Sequence, residues 1–299
     1  MLPLLVALLL CRLAGPGPGL ADAGARVDQA GRQVLVPDTP ARIVALAPSL
    51  VEIVYALGCG ERLAGATLYS EHPAAAQGLP RVGSYARPDV ERVLALRPDL
   101  CLAVVDMTPL FAIETIQNLG IPVYCLDTSS IDAVLESIVR IGAVLHVEDY
   151  ALMLTQRMNE WMRLIRQAVR DVDRPRVLYQ IGHQPMHTAC ADTFTNELIE
   201  RAGGTNVCNA LRGYPLLTRE QAVAYAPEVI LIPTMGKDEF AAARDSWSQW
   251  PELPAVREGR IHMLDSDVFD RPGPRIPLAL EGMARLLHPG LSLPGEPSP

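Results

Sequence analysis

Short apolar runs alternate with amphipathic stretches along almost the whole chain. Residues 42–47, 63–67, 100–105 and 122–126 are apolar runs of strand length. Residues 50–57, 88–96, 109–118 and 131–144 carry apolar positions three or four apart. The first pattern fits strands buried on both faces, and the second fits helices that cover them. Their alternation predicts an α/β fold with a mainly parallel sheet. Ahead of them, residues 27–37 set a Gly31-Arg32 turn between apolar positions, which predicts a hairpin.

Residues 147–171 contain neither Gly nor Pro, and Leu154, Met158, Trp161, Met162, Ile165 and Val169 recur at helical spacing. A helix of that length spans about 37 Å. It is bounded by Arg174-Pro175. On either side of it the chain repeats itself. Residues 87–104 recur at 216–233, placing Glu91 on Glu220, Pro98 on Pro227, Asp99 on Glu228 and Leu100 on Val229. Residues 41–49 resemble 175–183, 51–58 resemble 196–203, and 122–129 resemble 260–267. The expected architecture is two similar lobes, each a mainly parallel sheet flanked by helices, joined by one long rigid helix. The expected boundaries are 24–146 for the N-terminal lobe, 147–173 for the linking helix, 174–288 for the C-terminal lobe and 289–299 for a disordered Gly/Pro-rich tail. A continuous helix resists hinge bending, so little closure is expected. Two lobes make a cleft, the usual place for a small-molecule site.

Residues 1–23 read as an export signal: an apolar run from Leu2, a Gly/Pro break, then Ala21-Asp22-Ala23 as a cleavage site. No basic residue precedes the run and Arg12 closes it early. Leu10 is too large for a lipoprotein reading through Cys11. The apolar run is too short to span a bilayer. Of the 299 residues 49% are hydrophobic and 20% charged, enough for a large core. The net charge of −8, with a single lysine, argues against a nucleic-acid partner. No C-x-x-C pair exists, so no cysteine zinc or iron–sulfur site is expected. Cys190 and Cys208 fall in loops of the second lobe and could pair in an oxidising compartment; two separate thiols remain the alternative.

Common catalytic motifs are missing, among them the P-loop, G-x-G-x-x-G, G-x-S-x-G and H-E-x-x-H. His183 and His187 are four apart, but Gly182 and Pro185 break any helix there, so a strand-end loop is the expected setting. Tyr69, Tyr85 and Tyr214 fall in polar loops, where a flat ligand would find ring faces. Phe269 follows the last strand pattern and is read either as core or as part of a site. Glu91 and Glu220 each open a short helix, the second behind a Thr218-x-x-Gln221 capping box. An acidic first turn is favoured by the helix dipole alone, at about 0.3–1 kcal/mol. The equivalence of the two across lobes instead suggests a paired grip on two positive groups of a symmetric partner.

The stretches 42–67, 87–103, 217–232 and 266–276 together resemble bacterial periplasmic substrate-binding proteins of the helical-backbone class. Within that class they are most similar to the cobalamin-binding members serving ABC importers, over roughly residues 26–288. The resemblance implies a non-enzymatic, exported and monomeric protein with no catalytic metal or cofactor. It would capture a corrinoid, most simply cobalamin, and hand it to an ABC permease dimer with its ATPase subunits. It also implies roles for residues. Glu91 and Glu220 would dock on permease arginines; Tyr69, Tyr85 and Tyr214 would line the cleft, with Asp267, Phe269, Asp270 and Arg271 lining the second lobe. His187 stands where relatives often carry an aromatic residue, which keeps the ligand open. A heme or iron–siderophore receptor of the same fold is the main alternative, with His72, His183, His187 and Tyr214 as axial candidates. A metal-dependent enzyme of the same outline is a remote one.

Overall fold

The computed structural model describes residues 23–105, 107–234 and 242–296. Its first element is the hairpin of β1 (Ala23–Val27) and β2 (Gln33–Pro37). Asp28, 2% exposed, shapes the turn. Its Oδ1 accepts the Arg32 amide at 2.8 Å and its Oδ2 takes the Arg32 guanidinium at 2.7 Å. Of the expected signal at 1–23, residues 1–22 lie outside the described residues, and a chain beginning near Gly24 would begin inside β1.

The N-terminal lobe follows with β3 (Ile43–Ala45), α1 (Pro48–Ala56), β4 (Leu63–Ala66), the short hairpin β5 (Gly83–Ser84) and β6 (Arg87–Pro88), α2 (Val90–Ala95), β7 (Leu100–Val104), α3 (Leu110–Asn118) and β8 (Val123–Leu126). The sheet order is β4-β3-β7-β8, all parallel. Every residue of β7 and β8 is buried, as helices on both faces require. Alternate side chains divide between the faces. Val44, Cys101, Ala103, Val123 and Cys125 pack with Val93, Ile113 and Ile116, whereas Ile43, Leu100, Leu102 and Leu126 pack with Leu50, Ile53, Val134 and Ile138.

Then come α4 (Ile131–Leu145), capped by Ser130, and α5 (Glu148–Ala168). Ala151, Thr155, Met158, Met162 and Ile165 form the buried stripe of α5. At 21 residues it spans about 31 Å, shorter than the periodicity suggested because the last turn unwinds at Val169. One hydrophobic core runs without a break from β3 through α4 and α5 into the second lobe.

The C-terminal lobe comprises β9 (Arg176–Ile181), β10 (His187–Thr188), α6 (Phe194–Arg201), β11 (Thr205–Asn206), α7 (Arg219–Ala224), β12 (Val229–Thr234), α8 (Pro254–Arg257), β13 (Ile261–Asp265), α9 (Ser266–Phe269) and α10 (Ile276–Leu287). Its parallel order, β11-β9-β12-β13, repeats that of the first lobe, with β10 added antiparallel at the end of β9. Helix α10 returns to pack on α5. Cys190 and Cys208 are joined in a disulfide with Cα atoms 5.2 Å apart, while Cys59, Cys101 and Cys125 are buried thiols. The expected disorder of 289–299 is corrected as far as residue 296: Leu291 and Leu293 reach the core and Glu296 pairs with Arg157 of α5.

Gly142 of α4 sets the approach of α4 to α5, because a Cβ there would stand 2.4 Å from that of Ala151. At an open helix site Gly→Ala stabilises by about 1 kcal/mol. Here overpacking of about 1–3 kcal/mol opposes and exceeds that gain. Gly142→Ala should therefore lower the melting temperature, and adding Ala151→Gly should restore most of the loss. A higher melting temperature for the single variant would refute this packing argument.

Candidate functional site

Two sets of contacts turn the C-terminal edges of the sheets toward each other. Helix α1 starts where β3 ends, and the 271–275 segment follows α9, beyond the end of β13. Between them lies a buried ion cluster. Glu52, 3% exposed on α1, accepts Arg275 Nε at 2.8 Å and Nη2 at 2.7 Å. Arg271 Nη1 lies 3.7 Å from the same carboxylate, and its Nη2 binds Asp267 Oδ1. Gly273 passes over the start of α1, where a Cβ would make only ordinary contact with the Ser49 carbonyl at 3.8 Å. The second set joins the start of α4 to α6. The Ile131 amide donates to Glu197 at 2.9 Å, and Arg201 bridges to Asp132 at 3.2 Å and Glu197 at 3.5 Å.

The strand-end loops above these contacts carry the expected tyrosines. In the first lobe Tyr69 follows β4 and is 55% exposed. Tyr85 sits in the two-residue turn between β5 and β6. The Leu68 amide donates to the Gly83 carbonyl at 2.9 Å, which brings the two tyrosine loops together. Gly83 has φ +90° and a Cβ there would meet the Arg87 carbonyl at 2.5 Å, so only glycine fits. The loop after β7 adds Met107, and the start of α3 adds Leu110 and Phe111, the last 77% exposed. On the second lobe, Tyr214 and Leu216 are exposed beside β10. Each lobe thus carries exposed apolar side chains beyond its strand ends. Sequence reasoning missed Leu68, Met107, Leu110, Phe111 and Leu216; Leu110 and Phe111 stand at a helix start, where apolar residues read as core. It also missed Glu52 and Arg275; the signal was a carboxylate among the inward positions of α1.

His187 donates from Nδ1 to the Tyr214 carbonyl at 3.1 Å. That bond leaves Nε2 as the lone-pair nitrogen, without a partner among the described residues. His183 accepts Arg219 Nη2 at 3.1 Å, and Arg219 stacks on Trp247 at 4.3 Å. His72 is exposed in the first lobe.

The other residues singled out on the second lobe are committed to one another. Phe269 rests against Gly282 of α10 and joins the core, the first of its two readings. Arg271, 12% exposed in its side chain, is enclosed by Asp267 and Glu52. Asp270 turns its carboxylate inward to accept the Tyr179 hydroxyl at 2.6 Å. Desolvation pushes that carboxyl up to about 6, against the pull of Tyr179 and Arg271.

Glu91 and Glu220 are each the second residue of their helices, α2 and α7, and both are exposed. The Thr218–Gln221 capping box forms in both directions. The backbone amide of Glu220 and the Thr218 hydroxyl hold the Glu220 carboxyl below its usual range.

The profile of the periplasmic binding protein family matches residues 43–268. This chain belongs to that family. The matched span takes in both sheets and leaves out the β1–β2 hairpin and α10. Among relatives of the family, the vitamin B12-binding protein of Vibrio parahaemolyticus serotype O3:K6 is 29% identical over 237 residues, covering 78% of this chain and 84% of that protein. Two solved periplasmic proteins share the bilobed fold. The heme-binding protein BhuT, in complex with two hemes, is 31% identical with a TM-score of 0.75, covering 82% of this chain and 97% of its own. The vitamin B12-binding protein BtuF of Vibrio cholerae is 28% identical with a TM-score of 0.74, covering 84% and 98%.

The Asp270 carboxyl makes stability depend on pH. Its folded-state pKa of about 6 lies above the unfolded value of 3.8. The native state therefore binds this proton more tightly. Its contribution is complete below the unfolded value and is lost as pH rises through 6, by up to about 3 kcal/mol. Asp270→Asn keeps an acceptor for Tyr179 and carries no charge. Relative to wild type it should be stabilising at pH 8, and the gain should vanish towards pH 4. Denaturant unfolding at several pH values measures this, and a pH-independent difference would exclude it.

Proposed function

We propose that this periplasmic binding protein is exported, binds a corrinoid in the cleft and delivers it to an ABC importer. Cobalamin is the simplest cargo, and the role is capture rather than catalysis. The observation that carries the reading is the pair of apolar lips: Leu68, Tyr69, Tyr85, Met107 and Phe111 on one side, Tyr214 and Leu216 on the other. A corrin ring has broad apolar faces for such surfaces, and the vitamin B12-binding relatives are consistent with that cargo. In this reading the 267–271 segment supports the second lip, with Asp267 as its most exposed polar side chain. A heme cargo is the second reading. The free Nε2 of His187 and the likeness to BhuT favour it.

Titration with cyanocobalamin, cobinamide, hemin and a ferric siderophore separates the readings. Tyr214→Ala or Tyr85→Ala should weaken corrinoid binding by about 1–3 kcal/mol through lost aromatic contact. His187→Ala should matter little for a corrinoid that keeps its own axial groups. Tight hemin binding that His187→Ala abolishes, with no corrinoid bound at micromolar concentration, would replace the corrinoid by heme.

Glu91 and Glu220 are proposed to grip arginines of the permease dimer, whose ATPase subunits drive release. They are exposed and at equivalent places on equivalent helices. Glu91→Ala combined with Glu220→Ala should abolish complex formation and transport while leaving ligand titrations unchanged. Loss of ligand affinity in the double variant would place these residues in the cleft instead.

A further inference from the structure

The loop that presents Tyr214 has little apolar packing to hold it. Residues 209–216 contain no buried side chain. Segments without buried apolar contacts open with the least free energy. The anchors of this loop are the Arg212–Asp192 ion pair, the Asn209–Glu200 hydrogen bond at 3.1 Å, a Tyr214–Thr195 side-chain hydrogen bond and backbone bonds to the 186–191 segment. Leu217 N donates to Met186 O at 3.0 Å, Thr188 N to Pro215 O at 3.2 Å, Cys190 N to Gly213 O at 2.9 Å and Gly213 N to Ala191 O at 2.9 Å. The His187 ring adds its bond to the Tyr214 carbonyl. The one covalent anchor is the bridge between Cys190 and Cys208, both fully buried. It ties the residue just before the loop to the segment along which the loop lies. The other described cysteines are buried thiols, and burial pushes the Cys125 thiol up to about 11, so they are poor partners for exchange.

We infer that the Cys190–Cys208 bridge is a positioning device for the ligand face: it holds Tyr214 and His187 in place before the ligand arrives, so capture depends on the oxidised chain. This rests on the proposed use of the cleft. A loop ordered in advance loses less freedom on binding, and the gain shows mainly as slower release. A dithiol such as dithiothreitol would undo it. The S–S bond takes up two electrons and two protons to give two thiols, while the dithiol closes to its cyclic disulfide.

The test compares wild type, wild type reduced with dithiothreitol, and Cys190→Ser/Cys208→Ser, all well below their melting temperatures. Peptides carrying Cys190 and Cys208 should be recovered linked from unreduced wild type. In the reduced and serine forms, amide exchange across 209–216 should rise at least tenfold while β12 and the first lobe stay unchanged. Dissociation of cyanocobalamin, with hemin as a second probe, should speed up roughly tenfold. Reoxidation should restore the reduced wild type but not the serine form. Two results would overturn the inference. One is alkylation of both cysteines without prior reduction. The other is a lower melting temperature with exchange and dissociation unchanged, which would make the bridge a stabiliser only. If wild type binds neither probe, the corrinoid and heme readings fail, and the exchange measurement still decides whether the bridge clamps the loop.

Discussion

The cleft depends on one buried carboxylate. Glu52 is held in a two-pronged pair by Arg275 and is approached by Arg271, and these arginines come from the other lobe. Such a pair adds little net stability, because desolvating the charges opposes their attraction. Removing one partner is different, since it strands the remaining charge at a cost of about 3–5 kcal/mol. The cluster therefore acts chiefly as a specificity element. Of the ways two lobes could lean on α5, it favours the one that seats Glu52 between the arginines. It complements the shared core, which is strong but non-directional.

Above that floor the proposed binding surface is assembled from strand-end loops and the start of α3. This division follows from the physics of the parallel sheet. Its strands are covered on both faces, so only the loops at their ends can carry exposed side chains of large size. Tyr69 and Tyr214 occupy such loops, Phe111 opens the helix that follows β7, and all three are mostly exposed. Asp270 lies at the boundary between floor and loops. Its inward turn to Tyr179 keeps a carboxyl away from water, and the raised pKa is the measure of that enclosure.

The scaffold was legible in the sequence because burial on both faces writes continuous apolar runs, and β7, β8 and β12 all show them. The repeat announced two lobes, and the matching strand orders express it. The site was legible only in part. Tyrosines in polar loops stand out, whereas Leu110 and Phe111 did not, because periodicity cannot distinguish an apolar residue facing a cleft from one facing a core. The ion cluster was hidden for a different reason. Glu52 and Arg275 are 223 residues apart, and nothing local marks them as partners. Leu293 was misread because composition suggested a tail while two leucines sufficed to anchor it.

The two halves agree in some places and differ in others, and the pattern has a physical sense. Strand order and the placement of Glu91 and Glu220 are the same in both lobes. The cleft edges are not. The first lobe adds a hairpin bearing Tyr85 and an apolar α3 start. The second adds β10, the disulfide and His187, whose Nε2 has no partner among the described residues. A partner with two equivalent binding points rewards equivalent contacts on the two lobes. A single ligand between them meets each lobe with a different face, so equivalent contacts would serve it poorly. The duplicated scaffold thus supplies two equal arms, while the inserted loops supply two unequal surfaces.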